Sequence, residues 1–373
     1  MPLMIGLMSG TSLDGIDAAL VRCSDDHPPR LLATHGEVMP DELRQALWEL
    51  THADTVSFAH LARLETQFTR LQAETVAALL TQADTKAEEI AAIGSHGQTI
   101  EHRPDDDFPW TCQLDNPSLL AELTGCPVVG DFRRRDLAAG GQGAPLAPAF
   151  HAALFRDPLE WRVLLNLGGF ANVSLLPPTG STHLITGFDT GPANALMDGW
   201  YARHHAGTFD RDGAWAATGR VNNALLQRLL ADPFFHRPPP RSTGREHFHQ
   251  QWLDEQLTGQ EMPEDVQATL LELTAKSIRD GIVMGLSTSS NAHPVSVVPC
   301  GGGAHNHCLI ERLTALLAPM TLLPCEHLGW SPDWLEAGAF AWLAWRRLNG
   351  QPGNLATVTG AQGARVLGGL YAR

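Results

Sequence analysis

The chain has 373 residues, of which 43% are hydrophobic and 18% charged, a composition typical of a globular protein with room for two domains. Its net charge of −15 argues against nucleic acid as a partner, because phosphate backbones bind basic surfaces. No apolar run reaches the ~20 residues of a membrane-spanning helix, and no secretory signal is recognisable at the N-terminus.

Cysteine and lysine usage narrows the chemistry further. The six cysteines include no Cys-x-x-Cys pair, so we expect free thiols in a reducing cytoplasm. The two lysines, Lys86 and Lys276, do not follow a Gly-x-x-x-x-Gly frame, which excludes a Walker A loop. Nucleotide phosphates would have to be bound by backbone N–H groups, hydroxyls, a metal ion or arginine.

The opening segment predicts a strand from Leu3 to Met8, a tight turn, and a second strand from Ile16 to Cys23. Small glycine-bounded residues, hydroxyls and carboxylates fill the turn. Hydroxyl and N–H donors beside carboxylates suit a phosphate bound together with a divalent cation, whereas an ordinary hairpin turn is the alternative. The residues concerned are Ser9, Gly10, Thr11, Ser12, Leu13, Asp14, Gly15, Ile16 and Asp17.

The rest of the first half alternates strands with helices. Apolar spacing predicts a long helix over Thr55 to Leu80. A short apolar run predicts a buried strand from Ile90 to Gly94, and residues 95–99 follow its C-terminal end. In open α/β sheets, ligands bind at such ends. The other predicted elements are a strand from Leu31 to Val38 and a helix starting at Pro40 and Asp41.

The opening pattern returns in the second half, after a glycine-rich cluster (130–143) that we interpret as the crossing between two lobes. Strands are predicted at Val163 to Leu167 and Phe170 to Leu176 around the turn Gly168-Gly169, and a third strand, His183 to Phe188, precedes Asp189. This weak repeat predicts duplicated α/β lobes facing each other across a cleft.

Three further segments complete the prediction. Arg237 to Arg245 forms a basic loop stiffened by Pro238 to Pro240, either a mobile lid or a solvated connection. A buried strand, Val295 to Pro299, leads into Gly301, Gly302 and Gly303. Helices are predicted at Val266 to Ser287 and Trp334 to Leu348.

The order of the three glycine-centred sites resembles that of the actin, hexokinase and heat-shock-ATPase superfamily. More specifically, the chain resembles the anhydro-N-acetylmuramic acid kinases over nearly its whole length. The likeness is carried by Ile5–Asp17, Gly94–Thr99, Asp131–Arg133, Ala138–Leu146, Asn166–Asn172, Phe188–Asn194 and Gly301–Asn306.

The resemblance implies an α/β fold of two duplicated actin/hexokinase-like lobes, with mixed sheets flanked by helices and a nucleotide cleft between them. We expect lobe I at 1–132 plus 340–373 and lobe II at 133–339. The implied reaction uses water to open the 1,6-anhydro ring of anhydro-N-acetylmuramic acid and phosphorylates O6 with ATP and Mg²⁺, a step of peptidoglycan recycling. The resemblance also implies a homodimer, and the composition described above favours a cytoplasmic protein with no nucleic-acid or membrane partner.

The resemblance also assigns roles. Asp189, in the family's Asp-Thr-Gly-Pro motif, is the catalytic base, although capping of a helix over Gly191 to Trp200 is an alternative or additional role. Asp14 is expected to contact Mg²⁺ through water. Its alternative role is to stabilise the turn in which it lies. ATP would be bound by residues 10–17 and by Gly168, Gly169, Gly191, Gly301, Gly302 and Gly303.

The expected substrate residues are His96, Gln98, Thr99, Arg133 and Glu336, and each has a structural alternative. The first three could instead form a capped turn. Arg133 pairs either with the lactyl carboxylate of the sugar or with Asp131 or Asp136. Glu336 could belong to a solvated helix face.

Two other functional classes remain at this point. A glycoside hydrolase would explain Asp189 and Glu336 but not the opening turn or the triple glycine. A non-catalytic ATP-dependent switch of the heat-shock type would need a substrate-binding appendage, which the sequence does not show.

Overall fold

A computed structural model describes residues 1–239, 241–245, 247–287 and 293–373 of the chain. The strands are β1 Leu3–Ser9, β2 Gly15–Arg22, β3 Arg30–Val38, β4 Ile90–Arg103, β5 Trp110–Leu114, β6 Val128–Gly130, β7 Trp161–Leu167, β8 Phe170–Leu176, β9 Thr186–Pro192, β10 Val295–Cys300, β11 Thr321–Leu322 and β12 Gly369–Tyr371. The α-helices are α1 Asp41–Thr51, α2 Phe58–Gln82, α3 Pro117–Thr124, α4 Arg134–Leu137, α5 Ala147–Phe155, α6 Asn194–His204, α7 Asn223–Leu230, α8 Pro233–His236, α9 Gln250–Gln256, α10 Pro263–Leu286, α11 His307–Leu317, α12 Leu335–Leu348 and α13 Ala356–Thr359. Short 3-10 turns lie at Ala87–Glu89, Arg211–Gly213, Ala216–Thr218, Gly302–His305, Cys325–Leu328 and Pro332–Trp334.

The chain divides into two compact units. Unit 1 comprises Met1–Leu154 and Gly329–Arg373, and unit 2 comprises Phe155–Leu328. These boundaries differ from the expected 1–132 plus 340–373, because aromatic packing and a buried carboxylate hold the intervening segments to unit 1. Phe150 of α5 packs against Trp330 and Trp342, and Asp136 of α4 accepts hydrogen bonds from Asn354 and Thr359. The glycine-rich cluster 130–143 therefore lies inside unit 1 rather than at a crossing.

Unit 1 is built on a mixed sheet with the strand order β12-β6-β4-β1-β2-β3, and β5 pairs with β4. The meander β1-β2-β3 is antiparallel, whereas β4 and β6 run parallel to β1. Alternation along β1 separates its two faces. Ile5 and Leu7 are buried in one core with Phe68 of α2, while the intervening Gly6 meets α12 on the other face.

Helix α12 approaches this sheet closely at two glycines. A Cβ atom on Gly6 would collide with the backbone of Ala337, and one on Gly94 would collide with the backbone of Phe340. Both collisions involve backbone atoms, which cannot rotate away. Glycine at these positions of β1 and β4 therefore sets how near α12 can pack.

Unit 2 repeats this strand pattern. Its sheet has the order β11-β10-β7-β8-β9, with an antiparallel meander β7-β8-β9 and with β10 and β11 parallel to β7. Helix α10 packs on this sheet, where Gly285 lies against Leu175 and Phe188. The expected α/β fold of duplicated units with mixed sheets flanked by helices is confirmed.

Two strands extend further than the sequence predicts. The strand expected at Ile90 to Gly94 continues to Arg103, so residues 95–99 lie inside β4, where pairing with β5 prolongs it. The strand expected at His183 to Phe188 is β9, Thr186–Pro192, so Asp189 lies within a strand. Polar residues extend both strands because neighbouring strands satisfy their backbone groups. The long helix expected from Thr55 begins at Phe58, after a cap by Ser57.

Candidate active site

The opening turn between β1 and β2 is braced from β4. The hydroxyl oxygen of Ser9 lies 2.7 Å from Oε1 of Gln98 and 2.9 Å from the carbonyl oxygen of Gly15, and Nε2 of Gln98 donates to the carbonyl of Gly10. Leu13 has a φ of 58° and donates its N–H to Gly10. The turn is thus preorganised, with Ser9 buried and turned into the protein rather than toward an anion.

Other groups of the turn stay exposed. Thr11, Ser12, Asp14 and Asp17 are solvent-accessible, and the Ser12 hydroxyl donates to Oδ1 of Asp14 at 2.7 Å. Gly15 has a packing reason of its own, since a Cβ there would collide with the carbonyl oxygen of Glu37. Of the turn's two bounding glycines, Gly10 is therefore the one with space beside it.

Three carboxylates of unit 1, those of Asp14, Glu336 and Asp333, lie within electrostatic range of Asp17. Partial desolvation chiefly, then the charges of Asp14, Glu336 and Asp333, raises the pKa of the Asp17 carboxyl to about 6, although the side chain stays solvent-accessible. The pKa of Glu336 is also raised by the surrounding protein, although Arg133 opposes this and the side chain reaches solvent. Glu336 is exposed on α12 and acts electrostatically on Asp17 and Arg133, and its contact with the sugar stays a prediction.

Arg133 and His96 form a second part of the unit 1 site. Nη2 and Nε of Arg133 lie 2.9 and 3.3 Å from Nε2 of His96, and Nη1 donates to the carbonyl of Gly143 at 2.9 Å. His96 is only 6% exposed, and burial, followed by the Arg133 charge, lowers its pKa to about 3. The imidazole is neutral and accepts the hydrogen bond from Arg133.

The salt-bridge alternative for Arg133 is wrong. Asp131 faces Arg134 at 3.6 Å, and Asp136 is fully buried, with Oδ2 accepting the N–H of Gly143. Neither carboxylate has an ion pair with Arg133 in the described part of the chain, and the acidic group that acts on its charge is Glu336.

Gln98 and Thr99 are engaged inside unit 1. The Gln98 amide accepts from Ser9 and donates to Gly10 and Thr99, and the Thr99 hydroxyl lies 3.4 Å from Nε2 of Gln113. The capped-turn alternative is wrong, because both residues lie inside β4, where Gln98 braces the opening turn and Thr99 faces Gln113 of β5. Their contact with a sugar stays a prediction.

In unit 2, Asp189 sits on β9 immediately before a β-bulge. It pairs with Asn172 of β8, whereas Gly191 pairs with Ala171, so Thr190 is the extra residue. Bulges of this kind re-aim neighbouring side chains and are frequent beside active sites. The capping alternative for Asp189 is wrong, because α6 begins at Asn194 with Ala193 as its cap residue.

Residues 241–243 hold Asp189. Its N–H donates to the carbonyl of Arg241 at 2.9 Å, its carbonyl accepts from Nε of Arg241 at 3.0 Å, and its Oδ2 accepts the N–H of Thr243 at 2.8 Å. Arg241 is 6% exposed, so this part of the basic loop is packed against the protein rather than solvated. Position 240, counted in that loop prediction, lies outside the described residues.

Two asparagines beside Asp189 were missed by the sequence analysis. Asn166 of β7 pairs with Asn172 of β8, which pairs with Asp189 of β9, so the three share one face of the sheet. The available signal was an asparagine at each end of the Asn166-to-Asn172 hairpin, in strands that are otherwise mostly buried.

The end of β7, just before the Gly168-Gly169 turn, packs against the triple glycine. A Cβ on Gly301, which has a φ of 76°, would lie 2.6 Å from Oδ1 of Asn166, and one on Gly303 would lie 2.9 Å from the carbonyl oxygen of Leu167. Gly302 has no neighbour within 4 Å of a Cβ position. The unit 2 sheet thus brings these predicted nucleotide elements together and leaves open space beside Gly302.

The backbone N–H groups at the N-terminus of α6 are occupied by hydrogen bonds within unit 2. The N–H groups of Ala193, Asn194 and Ala195 donate to the carbonyls of Gly168 and Gly169. Gly191, with a φ of 149°, lies against Phe235, where a Cβ would come within 2.8 Å. Conformation and packing therefore require glycine at position 191.

Within the described residues, no group of three or more His, Cys, Asp or Glu side chains has the arrangement of a metal site. No helix in the described ranges combines the length and apolarity needed to cross a membrane.

Comparison with known proteins supplies the family. The family described as Anhydro-N-acetylmuramic acid kinase matches residues 2–373. A protein named anhydro-N-acetylmuramic acid kinase from Chromohalobacter salexigens is 62% identical, covering 100% of both chains. One from Xylella fastidiosa is 49% identical and covers 99% of this chain and 96% of its own.

Solved structures give a fainter likeness. Component A of the (R)-2-hydroxyglutaryl-CoA dehydratase from Acidaminococcus fermentans has a TM-score of 0.46 at 11% identity, covering 94% of this chain and 100% of that one. The assignment does not rest on this likeness. On the sequence matches, the chain belongs to the anhydro-N-acetylmuramic acid kinase family.

Proposed function

We propose that this protein is an ATP-dependent kinase that opens the 1,6-anhydro ring of anhydro-N-acetylmuramic acid with water and phosphorylates O6. The products are N-acetylmuramate 6-phosphate and ADP, as expected in peptidoglycan recycling. The observation that carries the proposal is the match over residues 2–373, together with identities of 62% and 49% to full-length proteins of that name.

The proposed chemistry begins at Asp189. Its carboxylate accepts a proton from the water whose oxygen attacks C1, while the C1–O6 bond breaks and leaves its electron pair on O6. O6 then forms a bond to the γ-phosphorus of ATP, and the bond from that phosphorus to the β-phosphate oxygen breaks. The fixed carboxylate orientation described above supports this role, since a base must be held in line with its water.

For the nucleotide, we propose that residues 10–17, Gly168, Gly169, Gly191 and Gly301–Gly303 bind ATP. The open space beside Gly302 supports close approach by a ligand, and the exposed Thr11 and Ser12 offer hydroxyl groups. In this proposal the backbone of Gly191, which follows Thr190 next to Asp189, lies beside the γ-phosphate.

Mg²⁺ fits the residues present. Asp14 and Asp17 are exposed carboxylates with like-charged neighbours, and a cation would relieve that repulsion. We propose that Asp14 contacts Mg²⁺ through water, because this ion keeps several waters when it accompanies phosphates. Bound there, the ion would neutralise phosphate charge.

For the sugar, we propose that Arg133 pairs with the lactyl carboxylate, with His96 and Glu336 beside it. The neutral His96 orients the guanidinium without adding charge of its own. Gln98 and Thr99 act in this proposal by supporting the turn and β4. We also propose a cytoplasmic location, where ATP is available, and a homodimer.

The decisive experiment incubates the protein with ATP, Mg²⁺ and anhydro-N-acetylmuramic acid and follows ADP and the sugar product. ADP release that requires the sugar supports the proposal. Ring opening without ATP would instead identify a hydrolase, and sugar-independent ATP turnover would identify a nucleotide-driven switch.

Asp189→Asn tests the proposed base. We expect turnover to fall by ~10³-fold, within the range seen when a general base is removed, while ATP affinity measured by calorimetry stays nearly unchanged. Asp84→Asn is the matched control, since Asp84 is exposed and its φ of 48° suits asparagine. Retained activity in Asp189→Asn, or loss of ATP binding, would contradict the assigned role.

A further inference from the structure

The support of Asp189 comes from a segment far away in sequence. Residues 241–243 contact Asp189 at its N–H, its carbonyl and its side-chain Oδ2, through three hydrogen bonds of 2.8–3.0 Å. Two of these contacts come from the main chain of the segment, and the third comes from the Arg241 side chain. Both the backbone and the carboxylate of Asp189 are therefore fixed from the same side.

Arg241 is itself held rigidly. Its Nη1 lies 3.1, 3.0 and 2.8 Å from the carbonyl oxygens of Phe234, Phe235 and Arg237, and its guanidinium sits 4.8 Å from the centre of the Phe234 ring. A buried guanidinium is tolerated when hydrogen bonds and nearby charge compensate for lost water. Its position is thus determined by α8 and the residue that follows it.

Helix α10 packs against both Thr190 and Arg241 at Gly281. A Cβ there would lie 2.7 Å from Cγ2 of Thr190 and 3.6 Å from Nη2 of Arg241. Thr190, the bulged residue after Asp189, is fully buried and donates its hydroxyl to the carbonyl of Ala171. The bulge and Arg241 therefore have little room to shift independently.

We propose that Arg241, with the Thr243 N–H, forms a positioning clamp that holds the Asp189 carboxylate toward the reacting water. Arg241 is a positioning residue, because it acts on the reaction through Asp189. The inference rests on the proposed function, in which Asp189 is the base. A base displaced by an ångström loses much of its advantage even when substrates still bind.

Arg241→Met tests the clamp, since it keeps an unbranched apolar stem and removes the charge and the donors. We expect kcat to fall 10- to 100-fold, with KM for ATP and for the sugar changed less than about threefold. Arg241→Lys should recover only part of the loss, because one ammonium cannot reproduce the planar fork. Arg245→Met, at an exposed arginine of the same loop that the clamp does not use, should keep wild-type kcat.

A double-mutant cycle with Asp189→Asn separates positioning from general damage to the fold. If Arg241 acts through Asp189, Arg241→Met should lower the residual rate of Asp189→Asn by less than about twofold. Thermal melting checks that each variant folds, and Arg241→Lys replaces Arg241→Met in the cycle if the latter does not.

Each outcome decides between the ideas. Full activity of folded Arg241→Met, or equal losses in the presence and absence of Asp189, overturns the clamp. A fully active Asp189→Asn overturns the proposed function itself. If Asp189→Asn is inactive but Arg241→Met is active, the clamp is overturned and the proposed function stands.

Discussion

His96 shows how burial sets the chemistry of a single residue. Burial and the neighbouring Arg133 lower its pKa to about 3, so it should stay neutral throughout the working range of an enzyme. We expect its imidazole NMR signals to be unchanged between about pH 8 and pH 5. A titration with a midpoint near the ordinary histidine value would contradict this. No limb of the pH–activity profile should then belong to His96.

Asp17 gives a prediction about stability. Its pKa is raised from 3.8 to about 6 in the folded protein, so its ionised form is disfavoured by folding. Above pH 6 the carboxyl is charged in both states and destabilises the fold, whereas below pH 3.8 it is neutral in both and the penalty vanishes. Asp17→Asn should therefore raise the melting temperature at about pH 8.

That gain should shrink as the pH falls through 6 toward 4, and it should be modest because solvent screens an exposed carboxyl. Thermal melts of the two proteins across this range provide the measurement. A gain that grows as the pH falls would show that the sign of the shift is wrong.

The site residues that could be predicted from the sequence are those that lie in local motifs. Asp189, Arg133 and the glycines stand in recognisable strings, and the resemblance places them. Arg241 could not be found this way, because its role comes from burial among carbonyls and from the pairing of its backbone with β9. A proline-rich basic stretch looks solvated until its tertiary contacts are known.

At the scale of elements, the structure contains the predicted strands and long helices, but several of them begin or end at different residues than predicted. The sequence prediction ends this strand at Gly94 and places residues 95–99 beyond its end. They instead continue β4, because β1 and then β5 supply backbone partners, pairings that local sequence does not reveal. The same explanation covers β9, which continues through Asp189 opposite β8.

The contact of α12 with the sheet of unit 1 predicts a strong effect of one methyl group. Gly94→Ala would drive a Cβ into the backbone of Phe340, so we expect a loss of ~3 kcal/mol in unfolding free energy, the upper end of the usual overpacking cost. Chemical denaturation measures this.

Gly36→Ala on β3 is the matched control for that experiment. Its methyl would meet only ordinary contacts, 3.4 Å from Trp334 and 3.5 Å from Asp17, so its effect should be small. Equal stability of the two variants would show that α12 does not pack against Gly94 as described.

At the scale of the whole molecule, the repeated strand order was foreseeable and the unit boundaries were not. The recurrence of a glycine turn between two apolar runs predicts the duplicated meanders. The boundaries after Leu154 and Leu328 depend on aromatic packing around Phe150 and Trp330, partners separated widely in sequence.

The division predicts different behaviour of two fragments. Residues 155–328 form unit 2 from one continuous stretch, so this fragment should fold alone and melt cooperatively when followed by circular dichroism. Residues 1–154 lack α12, which covers one face of their sheet, and should remain aggregated or partly folded. Cooperative melting of the 1–154 fragment would contradict this prediction.

The late position of α12 also bears on biosynthesis. A ribosome delivers β1 and β4 early, yet the helix that seats on Gly6 and Gly94 emerges only after all of unit 2 has been made. During translation one apolar face of the nascent N-terminal sheet therefore stays exposed to solvent until unit 2 has been synthesised and α12 can pack on it. Chaperone capture should therefore concentrate on the segment that was synthesised first.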